Sequence, residues 1–170
     1  MARVWIFGDD VDTDQIVPGR FAPYMRPNED VGRAAFIEAR PDFAANAEPG
    51  DVIVAGANFG CGSSREYAVE ALVRRRVGAV IAASFARIFF RNAINLGLPL
   101  FEIPTAAAFA RDGEAVELDF ARGVARFAGG ELRLPEQPPF VTEILAAGGI
   151  TAYVRANGRF PGMERRATGV

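Results

Sequence analysis

The chain contains no histidine and a single cysteine, Cys61. Without histidine the usual acid/base group at neutral pH is missing. That argues against a serine hydrolase, whose nucleophile needs a histidine partner. One cysteine rules out an internal disulfide and fits a reducing compartment, so a cytoplasmic location is expected. A zinc site or an iron–sulfur cluster held by this chain alone would lack ligands. Metal chemistry must therefore use carboxylates or come from a partner. No apolar run approaches the roughly 20 residues of a membrane span. The N-terminal residues Met1 to Phe7 reach Asp9 and Asp10 too soon for a signal peptide. The formal net charge of -2 argues against a general nucleic-acid binder. With 170 residues, 50% hydrophobic and 24% charged, the expectation is one domain over 1–170 with its own core. Its polar, glycine-rich end, 158–170, is expected to be a flexible tail.

What is present centres on Ala57-Asn58-Phe59-Gly60-Cys61-Gly62-Ser63-Ser64-Arg65-Glu66. The apolar run Val52 to Ala55 leads in and reads as a buried strand. A helical pattern from Tyr67 to Arg76 leads out, with Tyr67, Ala68, Ala71, Leu72 and Val73 as its apolar stripe. Ser63 or Ser64 is the expected helix cap. A glycine turn before a helix offers free N–H groups to an anion, and Arg65 adds a planar fork suited to a carboxylate. The spacing is not a nucleophile elbow. It lacks the lysine of a phosphate-binding P-loop. Arg65 stands where a dinucleotide fingerprint requires its third glycine. A small-carboxylate or phosphate site with a serine oxygen at its edge remains, beside the plainer reading of a capped helix.

Before this stretch, Val4 to Phe7 reads as a first strand. The loop from Gly8 to Arg20 is rich in acid, with Asp9, Asp10, Asp12 and Asp14. Three readings stand: a calcium loop, a solvated turn, or aspartates that orient the arginine or serines of the central turn. The calcium reading lacks the required glycine and glutamate at the sixth and twelfth loop positions. Residues Phe21 to Pro27 are interrupted by proline and suit a loop covering a site. A helix from Glu29 to about Arg40, capped by Asn28 and stopped by Pro41, is expected next. After the central helix, Arg74-Arg75-Arg76 suits a helix C-terminus. Val77 to Ala83 then reads as a strand, a Ser84-capped helix runs to near Gly97, and Leu98 to Ile103 reads as a strand. This order predicts parallel, buried strands with right-handed crossovers. Beyond Pro104 the alternation in Ala115 to Phe120 and Val124 to Phe127, around Gly123, predicts a hairpin. Glu131 to Leu134 adds a short strand, and two short helices follow, Phe140 to Ala147 and Gly149 to Ala156. The fold class is α/β, a mixed sheet with parallel buried strands. The antiparallel strands would join its edge or form a second small sheet.

Three motifs carry a more specific resemblance: Asp12-Thr13-Asp14-Gln15-Ile16-Val17-Pro18-Gly19-Arg20-Phe21, Asn58 to Glu66, and Ser84-Phe85-Ala86-Arg87-Ile88-Phe89. In this order and spacing the chain resembles the small subunit of 3-isopropylmalate dehydratase, the swivel-domain piece of the aconitase superfamily. The resemblance covers most of residues 1–157. It implies a swivelling three-layer β/β/α domain and a role in leucine biosynthesis. It also implies a hydro-lyase that moves a hydroxyl between adjacent carbons of a 2-hydroxy di- or tricarboxylate, active only with a large subunit. That subunit holds a 4Fe–4S cluster through three cysteines, leaving one iron open to substrate; this chain binds no cofactor. Carried over, Ser63 is the base that removes a carbon-bound proton, Ser64 and Arg65 bind a substrate carboxylate, and Asp14 reaches the site near the base. Cys61 is a small turn residue rather than a cluster ligand.

Two departures stand out. Relatives commonly have histidine where this chain has Tyr67. The residues after the Pro18-Gly19-Arg20 run help choose the substrate in relatives. Here they read Phe21-Ala22-Pro23-Tyr24-Met25-Arg26, apolar or aromatic, with Arg26 close enough to reach a further carboxylate. Isopropylmalate, methylmalate or citramalate, homoaconitate and dimethylmalate-type substrates all remain open. So do two other classes: a stand-alone small-carboxylate-binding module, and a cofactor-free isomerase or hydrolase using Asp14 or Glu66.

Overall fold

The computed structural model describes residues 1–163, and of the tail expected to be flexible 164–170 lies outside the described residues. Four short apolar runs, Val4–Ile6 (β1), Val52–Ala55 (β2), Ala79–Ala82 (β3) and Leu100–Glu102 (β4), form a parallel sheet in the order β1-β2-β3-β4. Val52 pairs with Val4 and Ala79, and Val80 with Leu100. β2 and β3 are apolar at every position because both faces of the sheet are covered. One face, through Ile53, Ala55, Val80 and Ala82, packs on helices. The alternate residues Val52, Val54, Ala79 and Ile81 pack on a second core with Val116, Ala125, Phe127 and Leu132. That second core belongs to a separate antiparallel sheet, Glu117–Asp119 (β5), Val124–Phe127 (β6) and Gly130–Arg133 (β7). The layers are thus β/β/α, the expected fold class, and the antiparallel strands form their own sheet rather than extending the first.

The helices are Thr13–Ile16 (α1), Pro41–Asn46 (α2), Glu66–Arg74 (α3), Arg87–Leu96 (α4), Pro139–Ala146 (α5) and Ile150–Asn157 (α6). α3 and α4 are the crossovers between successive parallel strands, and α4 ends at the left-handed Gly97. The expected helix from 29 to 40 does not form. Asp30 caps a short 3-10 turn, Val31–Ala34, and Phe36 takes a left-handed φ of 55° that no α-helix can pass through. Pro41 opens α2 at its first turn instead of stopping a helix, as suits a residue without a donor to lose. A buried carboxylate ties β1 to the start of β2. Asp51 accepts hydrogen bonds from the Arg3 N–H (2.8 Å), Trp5 Nε1 (2.7 Å) and the Glu48 N–H (3.0 Å). Among the described residues no helix is long and apolar enough to cross a membrane.

Candidate functional site

In a parallel sheet the loops leaving the carboxyl ends of the strands converge on one edge, where ligands bind. Here three such loops are stitched together. The loop after β1 meets the loop after β2 at a parallel bridge between Asp12 and Cys61, and Phe59 bridges Phe85 after β3. The acidic loop is used up by this stitching. Asp9 accepts from the Ala57 N–H, Asp10 from Asn58 Nδ2, and Asp12 caps α1 through the Gln15 N–H. Asp14 forms an ion pair with Arg65. The third reading of the aspartates, as supports of the central turn, is the one realised.

The turn itself is built on positive φ at Asn58 (60°), Gly60 (79°) and Gly62 (85°). A side chain at Gly60 would overlap the Phe89 ring, with Cβ 2.1 Å from Phe89 Cγ, so only glycine lets the turn lie on α4. Thr13 fixes the serine backbone, because its buried hydroxyl donates to the Ser63 carbonyl at 2.9 Å. Neither serine caps α3: the N-cap is Arg65, with no side-chain hydrogen bond. Ser63 and Ser64 are exposed, so their hydroxyls face solvent instead of closing a helix end. Ser84 does not cap α4 either. Its hydroxyl accepts from the Asn58 N–H at 2.8 Å and so holds the central turn.

Ser63, Ser64 and Arg65 line an open cleft of about 350 Å³, together with Arg87, Ile88 and Asn92 from α4. The hydrogen bond to Asp14 raises the Arg65 pKa above its ordinary value and keeps the guanidinium charged. It occupies Nη1, and no hydrogen bond among the described residues engages Nε or Nη2. Arg65 also lies 6.0 Å from the Tyr67 ring, which meets Tyr24 edge-on at 6.2 Å. The Tyr67 hydroxyl is buried without a hydrogen bond of good geometry, and burial pushes its pKa up against the pull of Arg65.

Arg26 is elsewhere. It reaches both Glu29 carboxylate oxygens (3.0 and 3.1 Å) and lies 4.6 Å over the Phe21 ring, outside the cleft lining. Thr13, Arg87 and Asn92 were given no role from the sequence. Thr13 stands in the Asp12-Thr13-Asp14 run. Arg87 opens a helix with no acidic residue in its first turn to balance it, which is a readable signal.

The site offers no home for a metal of its own. Among the described residues no group of three histidine, cysteine or carboxylate side chains is placed to hold an ion. Burial and the nearby Asp12 and Asp10 charges raise the Cys61 thiol and keep it protonated. An iron–sulfur cluster does not fit these residues.

Fold and cleft together define a class: a β/β/α unit whose strand-end loops bring two exposed serines and an aspartate-paired arginine to one open cleft. The Aconitase C-terminal domain family matches residues 10–105, more than half of the chain. The chain is 46% identical over 164 residues to a 3-isopropylmalate dehydratase small subunit of Deinococcus radiodurans, covering 96% of this chain and 92% of the relative. It is 48% identical over 162 residues to a homoaconitase small subunit of Thermus thermophilus, covering 95% and 99%. A crystal structure of 3-isopropylmalate dehydratase from Methanocaldococcus jannaschii superposes with a TM-score of 0.82 at 41% identity, covering 92% of this chain and 93% of that one. The chain belongs to the family of 3-isopropylmalate dehydratase small subunits, hydro-lyase subunits of the aconitase superfamily.

Proposed function

We propose that this chain, acting as one swivel unit, supplies half of an active site to a large subunit. The complex would isomerise a 2-hydroxy diacid such as 3-isopropylmalate by dehydration and rehydration, a cytoplasmic step of leucine biosynthesis. The observation that carries this reading is the convergence of Ser63, Ser64 and the Asp14–Arg65 pair on one open cleft that has no metal-holding group. Arg65 and Ser64 hold a substrate carboxylate, with the free Nε and Nη2 donors of Arg65 matched to its oxygens. Asp14 is a positioning residue, fixing the guanidinium plane from behind. Ser63 takes the proton from the carbon next to the clamped carboxylate, and the nearby guanidinium favours negative charge on its oxygen. As the C–H pair moves into the new C=C bond, hydroxide leaves the adjacent carbon. Rehydration returns the proton and the hydroxyl to exchanged carbons.

No residue lining the cleft is suited to the departing hydroxyl. That task, and the 4Fe–4S cluster that the resemblance implies, are assigned to the large subunit, while proton removal and carboxylate binding are assigned to this chain. A second reading, a homoaconitate substrate, is favoured by the similarity to the Thermus thermophilus homoaconitase small subunit. The test is coexpression with the large subunit and anaerobic assay of 3-isopropylmalate and homoaconitate side by side, following absorbance of the unsaturated intermediate. Turnover by the complex and none by the isolated chain is the expected result. Turnover by the isolated chain, or a stable complex inert to every 2-hydroxy diacid, would overturn the reading.

A further inference from the structure

The cleft gathers cationic side chains in a chain whose net charge is negative. It holds two arginines, Arg65 and Arg87, and no carboxylate lines it. The two cations are held differently. Arg65 is half-buried and paired with Asp14. Arg87 is exposed and takes part in no ion pair or side-chain hydrogen bond among the described residues. It also sits in the first turn of α4, where no acidic residue offsets it. A cation at that end of a helix is opposed by the helix dipole, so this arginine costs stability rather than adding it. Among the described residues some arginines elsewhere are matched to acids, as in Arg126 with Glu117 and Glu131 or Arg40 with Asp112, while others on the open surface, such as Arg91 and Arg133, are not. What sets Arg87 apart is its place on the rim of the cleft that holds Ser64 and Arg65, where an anion from outside the chain would meet it.

We propose that Arg87 is a substrate-binding residue of this cleft, recruiting the anionic 2-hydroxy acid and contacting a carboxylate of it outside the Ser64–Arg65 clamp. This deepens the reading given above and rests on it. A second guanidinium beside the Asp14-paired Arg65 raises the local concentration of a polyanion and steers its approach. A mouth cation of this kind acts on capture, whereas the proton is moved at Ser63.

The test uses the reconstituted two-subunit complex at saturating large subunit. With Arg87→Gln, KM for the 2-hydroxy diacid that the wild-type complex turns over should rise about tenfold, the scale of one charged hydrogen bond, with kcat within about twofold. Arg87→Lys should recover part of the loss by restoring charge without the planar fork. The dependence of kcat/KM on salt should be shallower in Arg87→Gln than in the wild type. Arg91→Gln, on the same helix but outside the cleft lining, should leave KM within about twofold. An unchanged KM in Arg87→Gln overturns the proposal, and so does weaker subunit association with an unchanged KM, since Arg87 would then serve the interface. An inactive wild-type complex would instead count against the function proposed above, so the two failures are distinguishable.

Discussion

Replacing Gly60 by alanine puts a methyl group where Phe89 already lies. The added Cβ would fall 2.1, 2.4 and 2.5 Å from three Phe89 atoms, against the 3.5–4.0 Å that carbon contacts need. Phe89 cannot step aside, because it is buried and packs edge-on against Phe59 at 5.3 Å. The left-handed backbone at Gly60, with φ 79°, adds its own cost of about 1–2 kcal/mol for a side-chain-bearing residue. Overpacking a closed core costs about 1–3 kcal/mol more, occasionally beyond that. Gly60→Ala should therefore lose about 2–5 kcal/mol. Gly62 is the internal control. Its φ of 85° is equally left-handed, but a Cβ there would meet nothing closer than 3.5 Å. Gly62→Ala should lose only the backbone cost, about 1–2 kcal/mol. Urea unfolding of the isolated small subunit, followed by tryptophan fluorescence of Trp5, measures both. Equal losses in the two variants, or a Gly60→Ala loss under about 1 kcal/mol, would refute the claim that contact with α4 shapes the serine turn.

Removing the Asp51 carboxylate strands the buried Trp5 Nε1 donor and two part-buried backbone N–H groups, so Asp51→Ala should cost about 2–4 kcal/mol in the same unfolding assay. Asp112 feels burial, which disfavours its charge, but hydrogen bonds from Arg40 and the Ile6 N–H outweigh this and lower its pKa. A lowered folded-state pKa means stability that is complete above about pH 5 and lost as pH falls through the folded value. Asp112→Asn should flatten that acid limb, by no more than about 1 kcal/mol because the pair is half exposed. Asp14→Asn should leave folding within about 1 kcal/mol yet raise KM about fivefold in the complex, because Arg65 loses the partner that orients it.

The parallel strands were legible because they are covered on both faces, which makes runs such as Val52 to Ala55 apolar at every position. The antiparallel hairpin was legible from its alternation around Gly123. What misled was local chemistry overruled at a distance. Phe36 gives no sign in sequence of its left-handed backbone, which follows from its N–H bonding to the Ile16 carbonyl twenty residues earlier. Ser84 looks like a helix cap, but its hydroxyl is drawn to Asn58. Ser63 and Ser64 look like caps, but the turn is held from the other side by Asp12 and Thr13. At the site, the Asp14–Arg65 pair spans 51 residues of sequence; the acidic loop suggested that an aspartate orients the arginine, and the motif resemblance singled out Asp14. Arg26 carries a local signal: Glu29, the acid it pairs with, lies three residues on.

The central claim is that Ser63 moves the proton while Ser64 and Arg65 hold the substrate. The direct measurement is kcat and KM of Ser63→Ala in the reconstituted anaerobic complex, with unfolding of the isolated variant as a check on its fold. Ser63 is exposed and caps no helix, so the alanine variant should fold with unchanged stability. In this variant kcat should fall by about a thousandfold, the scale of a lost general base, with KM within about threefold. A kcat within tenfold of the wild type would contradict the claim.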